Sequence, residues 1–235
     1  MPNFLYTGFY DLLVDSVYQY KLSTEQENPY LNNRHARASI SASMLLIECA
    51  ANCFLRSLEL PSKLIDELDK LQPLAKVDIF LKWSNVEMLD RGRVEVQKVA
   101  EIIRARNDFV HTKEAQIPTD FQDFEQAEEL WKLPMTLISK QWIALGLPKN
   151  SMFWSPDGAF SVLEAVTNFL RYVCCELLKL EPDDASIILA SHIEVNNVRI
   201  QALYEEFKTE LIEAKTAGID LSFLGINNDV KQPLQ

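Results

Sequence analysis

The sequence predicts an all-α protein, a helical bundle whose core is followed by additional C-terminal helices. Three observations carry this expectation. Apolar residues recur at helical spacing over most of the chain. Glycine is scarce, six in 235 residues, and strand-like alternation between turns is rare. Prolines punctuate the pattern at element boundaries, with Pro61 and Pro73 opening helices and Pro182 stopping one.

Residues 4–20, rich in aromatics, leucine and valine, read as a short helix. Residues 21–38, with Pro29 and several asparagines, read as a mobile loop carrying the basic cluster Arg34-His35-Arg37. Ser39 or Ser41 is suited to cap the next helix, which runs to about Leu58 and is apolar nearly all round, as a central helix must be. Short helices follow from Pro61 to about Leu71 and from Pro73 to about Trp83. A polar connection, Ser84 to Gly92, leads to a helix that starts near Arg93. After His111 the pattern turns irregular through Pro118, then weaker helices are expected over 121–131 and 135–145. A loop spans 147–158. A strong helix is expected over 159–180, a short one over 183–192 with His192 at its end, and a long one over 198–217. Residues 1–38 form an N-terminal helix and loop, 39–225 one domain, and 226–235 a flexible tail.

Composition bounds the function. The formal net charge of −11 opposes diffuse binding to nucleic acid or to anionic membranes. The imbalance is uneven: 14 basic and 17 acidic residues lie in 1–120, against 9 and 17 in 121–235. An anionic ligand is therefore expected on the first half. Cys49 and Cys53 lie in one apolar helical run and Cys174-Cys175 in another, which reads as free thiols in a reducing, cytoplasmic compartment. The N-terminal segment has Asp11 and Asp15 and no basic start, unlike a signal peptide. No stretch of about 18 uncharged apolar residues predicts a membrane span. The sequence carries no glycine-rich phosphate loop, GxSxG elbow, HExxH or EF-hand pattern, and it predicts neither metal nor cofactor.

One segment departs from packing logic. Val96, Val99, Ile102 and Ile103 make one apolar helical stripe, and the next places on it are Arg106 and Val110. An arginine stands where a leucine is expected. A guanidinium cannot shed its charge, so it needs acceptors or an anion. Five residues later comes His111, one of three histidines. Glu48 is the natural acceptor: it is the only charge between Arg37 and Arg56, with Asn52 one turn on. The competing reading is structural, with Arg106 a paired buried arginine and His111 a helix-end histidine favoured by the dipole. Trp83 and Trp154 read as packing residues, and Asp183-Asp184 and Glu205-Glu206 as solvated helix charges.

The hexapeptide Arg106-Asn107-Asp108-Phe109-Val110-His111 resembles the Arg-x4-6-His motif of the HEPN superfamily, helical domains named for nucleotide binding in higher eukaryotes and prokaryotes. Arg106 gives x4 and Arg104 gives x6; Asn107 directly after Arg106 favours the former. The resemblance covers about residues 39–115, a HEPN-like core. It implies a metal-independent endoribonuclease, commonly a toxin or defence component, acting at a homodimer cleft. In that reading Arg106 stabilises charge on the phosphate, His111 moves the proton, and Asn107 and Asp108 orient His111 or the substrate. Partners would be RNA or a nucleotide, and an antitoxin or other protein. Many relatives are inactive, so a nucleotide-binding or interaction module is the alternative, and the acidic composition favours it. On an ideal helix, residues five apart point about 140° apart. Arg106 and His111 of one chain would then not share a face, and a site composed from two chains would resolve this.

Overall fold

Helix α2, Pro29–Arg56, runs through the middle of the molecule. The computed structural model describes residues 3–58, 60–111, 114, 116–121, 135–195 and 198–226. Around α2 pack α1 (Phe9–Glu25), α4 (Pro73–Trp83), α5 (Val94–Val110), α6 (Pro156–Arg171) and α7 (Pro182–Leu189). The short α3 (Ser62–Leu68) joins α2 to α4, and α8 (Glu205–Thr216) lies against α1. α2 is long and apolar enough to cross a membrane by length and composition, but most of its apolar window is buried by these neighbours. Ile40, Leu46, Ile47, Ala50, Ala51 and Phe54 supply its share of the core.

The expected loop over 21–38 is overturned. Asn28 caps α2, its Oδ1 accepting the Tyr30 N–H at 2.9 Å, and Pro29 fits the first helical turn, where its missing donor costs nothing. Pro29 starts the helix ten residues before the serines expected to cap it. The Arg34-His35-Arg37 cluster therefore sits on a helix, and the His35 Nδ1 is 2.8 Å from the Gln19 Oε1 of α1. The serines serve elsewhere: the Ser39 hydroxyl donates across to the Ser16 carbonyl of α1 at 2.7 Å.

The chain is mostly helical with small antiparallel sheets, so the strictly all-α expectation is corrected. β1 (Asn3–Leu5), β6 (His192–Val195) and β7 (Val198–Gln201) form a three-stranded sheet in the order β1-β6-β7. β1 replaces the start of the helix expected over 4–20, and His192 opens a strand rather than ending a helix. The helix expected over 198–217 splits, because Val198 and Ile200 alternate with polar residues and suit a strand. β2 (Thr119–Phe121) pairs with β3 (Met135–Leu137), and β4 (Gln141–Trp142) with β5 (Leu147–Pro148), where a helix over 135–145 was expected. The helix expected over 121–131 lies outside the described residues apart from Phe121, and so does the tail from 227 onward.

The strong helix of the second half is α6. Ser155 caps it by accepting the Gly158 N–H. Gly158 makes a close approach: a Cβ there would lie 2.9 Å from the Leu147 Cδ1 of β5, so a larger residue would displace that side chain. α6 continues into a wider π-type turn over Tyr172–Leu177.

Candidate functional site at the end of α5

α5 buries Val96, Val99, Ile102 and Ala105 against the core. Its last turn carries the hexapeptide, and burial falls away there. Ala105 is buried, Arg106 and Asn107 are half-buried, and Asp108 to His111 are exposed. The apolar stripe thus stops one residue before Arg106. The guanidinium sits at the rim of the core, and its Nη1 donates to the Asn107 Oδ1 at 3.1 Å. His111 ends the helix with φ −100° and ψ 50°, its N–H reaching the Asn107 carbonyl at 3.0 Å.

The expected pairing of Glu48 with Arg106 is overturned. Glu48 Oε1 accepts instead from Lys76 Nζ of α4 at 2.7 Å. Lys76 is 1% exposed, and its ammonium also donates to Asn52 Oδ1 at 2.7 Å and Asp69 Oδ1 at 3.1 Å. An ammonium has three donors, and all three are used. The polar line Glu48-Asn52 on α2 exists to receive a lysine, not an arginine.

Arg104 points away from the hexapeptide. Its guanidinium lies 5.5 Å over the Trp142 ring, and the Lys149 Nζ approaches the same ring at 4.3 Å. Glu101, one turn before, accepts the Leu145 N–H at 2.9 Å, which fastens the β4–β5 segment to α5.

Beside His111 opens a cavity of about 630 Å³. Asn107, Asp108, Phe109 and His111 form one wall, and residues 116–118 and 138–140 a second. The third wall is Lys149 to Ser151 with Trp154. Lys140 and Lys149 bring positive charge, while Asp108 and Glu114 bring negative charge, so the lining is mixed. Phe109 and Trp154 stack obliquely, centroids 5.1 Å apart at 37°. The third wall is held from α2: Asn33 Nδ2 donates towards the carbonyls of Ser151 (3.2 Å), Met152 (3.1 Å) and Trp154 (2.7 Å). The Trp154 indole N–H is spent on the Pro148 carbonyl at 2.8 Å.

The cavity therefore gathers His111, Asn107 and Asp108 and leaves out Arg106, Arg104 and Glu48. Arg106 touches it only through Asn107. Sequence reasoning missed Lys140, Lys149 and Asn33, which lie 29 or more positions from the motif and carry no spacing signal. Asn150 was the one local cue, an N-cap residue before a short 3₁₀ turn at Ser151–Phe153, with its Oδ1 accepting the Met152 N–H. Among the described residues, no three His, Cys, Asp or Glu side chains converge in a metal-binding group. The four cysteines are free thiols.

Compared with known protein families, with curated proteins and with solved structures, the chain matches none.

Proposed function

We propose that the protein is an endoribonuclease of HEPN type that cleaves RNA without a metal ion where α5 ends. The observation that supports this reading is that His111 shares one cavity with Lys140 and Lys149. An RNA 2′-hydroxyl attacks the adjacent phosphorus, and its proton passes to His111, since histidine exchanges protons near neutral pH. The new O2′–P bond forms as the P–O5′ bond breaks, and water returns a proton to the departing 5′-oxygen. The lysines hold the phosphate and stabilise its extra negative charge, and Arg106, donating to the Asn107 Oδ1, positions that amide in the cavity wall beside His111. A toxin or defence role, with a cognate protein partner, fits this activity.

A second reading is a non-catalytic nucleotide-binding or interaction module. It is favoured by the place of Arg106 outside the cavity lining and by Asp108 and Glu114 within it. One experiment separates the two. Purified protein is incubated with a single-stranded RNA in EDTA. Cleavage that leaves 2′,3′-cyclic phosphate ends, spares a DNA analogue and is lost in His111→Ala supports the nuclease. Binding of the RNA with no cleavage in wild type transfers the conclusion to the module.

A further inference from the structure

The three-stranded sheet is built inside out. Register places Phe4 opposite Ile193 and Ile193 opposite Ile200, and it places Val195 opposite Val198. Because side chains alternate with a period of two, these five residues share one face. The other face carries His192, Glu194, Arg199 and Gln201, with Asn3 in register opposite Glu194 and Leu5 its one apolar residue. This polar face turns towards the body: Gln201 Nε2 donates to the Ser186 hydroxyl of α7 at 2.7 Å, and that hydroxyl pairs with the buried Tyr10 phenol of α1. The apolar face turns to solvent, with Phe4 60%, Ile193 38%, Ile200 54% and Val198 60% exposed. A half-buried antiparallel sheet ordinarily shows the reverse.

We infer that this face is where two copies of the chain meet, sheet against sheet, about a two-fold axis. An isologous contact needs a surface complementary to itself. This face carries no charged side chain, whereas the chain as a whole carries −11 and repels its own copy elsewhere. The area fits a weak self-association: Phe4, Ile193, Val198 and Ile200 offer on the order of 400 Å² per copy, against roughly 800 Å² per partner in a standard interface. A contiguous exposed apolar patch on one sheet face is often an interaction surface.

The contact is remote from the cavity. α2 touches the third cavity wall through Asn33 and touches the end of α7, beside the sheet, through the Cys53 thiol on the Leu189 carbonyl. Those two positions are twenty residues apart on one helix, about 30 Å. A sheet-mediated dimer therefore holds two separate cavities and does not itself build a composite site.

The test is sedimentation velocity on the full chain across the micromolar range, for wild type, Ile193→Glu, Ile200→Lys and Val110→Asp. Each substituted residue is solvent-exposed, and far-UV circular dichroism checks that each variant keeps its helices. The expected result is a dimeric wild type, at least 100-fold weaker self-association in each sheet variant, and unchanged association in Val110→Asp at the end of α5. A monomeric wild type overturns the inference. So does a dimer that survives both sheet variants, and a dimer broken by Val110→Asp alone assigns the contact to α5 instead.

Discussion

Lys76 Nζ lies 2.7 Å from Glu48 Oε1, and the lysine is sealed from solvent while the glutamate keeps one edge in water. Losing the acceptor leaves a buried ammonium with Asn52 and the half-solvated Asp69. Glu48→Ala is expected to destabilise by about 2–4 kcal/mol, below the roughly 3–5 kcal/mol of a fully buried pair because Glu48 keeps part of its surface in water. Lys76→Met in the Glu48→Ala background should recover part of the loss, because the uncompensated charge is gone. Glu48→Ala and Arg106→Leu should add without coupling. Denaturant unfolding of the two double-mutant cycles checks both statements.

Tyr10 supplies a pH dependence. Burial pushes its phenol up to about 12, even though the bond with Ser186 works in the opposite direction. The folded state therefore holds this proton to higher pH than the unfolded chain does. The stabilisation is fully present below pH 10 and is lost as pH rises towards 12. Tyr10→Phe should cost about 1 kcal/mol at neutral pH, the worth of one buried hydrogen bond, and should flatten the fall of stability between pH 10 and 12. Urea midpoints measured across that range give the answer.

The legible parts of the fold were those where one helical face decides everything. α4 begins and ends where Pro73 and Trp83 put it, and α5 follows the Val96-Val99-Ile102 stripe. The misread parts are those where two periods compete. Ile200, Leu203, Tyr204 and Phe207 satisfy a helix, yet Val198 and Ile200 also satisfy a strand, and pairing with β6 decides between them. Pro29 falls in the loop expected over 21–38 because a proline looks alike at the end of a loop and at the first turn of a helix. At the site, the hexapeptide was visible because Arg106 interrupts a stripe. Its surroundings were not, since Asn33, Lys140 and Lys149 reach the cavity only through tertiary packing. The Glu48 partner was misjudged for the same reason: sequence shows that a buried acid needs a cation, not which of two cations comes near.

Asn33 gives a test of the cavity wall. Its amide spans three carbonyls of the Ser151–Trp154 segment, and an amide nitrogen has only two hydrogens, so the donors are shared. Asn33→Asp replaces that nitrogen with an oxygen that faces three carbonyl oxygens. It should destabilise by about 1–3 kcal/mol and release Trp154 from its place beside Phe109. Thermal unfolding reads the first effect. Near-UV circular dichroism, sensitive to the packing of the Phe109–Trp154 pair, reads the second. Asn33→Ser, which keeps one donor, should lie between wild type and Asn33→Asp.

Lys149 separates a site that uses phosphate charge from one that does not. Its ammonium is poised over the Trp142 ring, which the guanidinium of Arg104 also approaches, and the same side chain lines the cavity. If an RNA phosphate is bound there, its neutralisation releases counterions, and affinity falls with salt by about 0.7 logarithmic units per contact for a single strand. Lys149→Ala should weaken binding of a single-stranded RNA and lower the steepness of log K against log salt by about that one contact. Arg104→Ala should leave the steepness unchanged, since its exposed guanidinium is turned to the Trp142 ring and lies outside the lining, and stability should move by only about 0.5 kcal/mol. Fluorescence titration of a labelled oligonucleotide at several salt concentrations measures all three proteins. An unchanged steepness in Lys149→Ala would show that Lys149 takes no phosphate, and the RNA reading would lose one of the two cations it rests on.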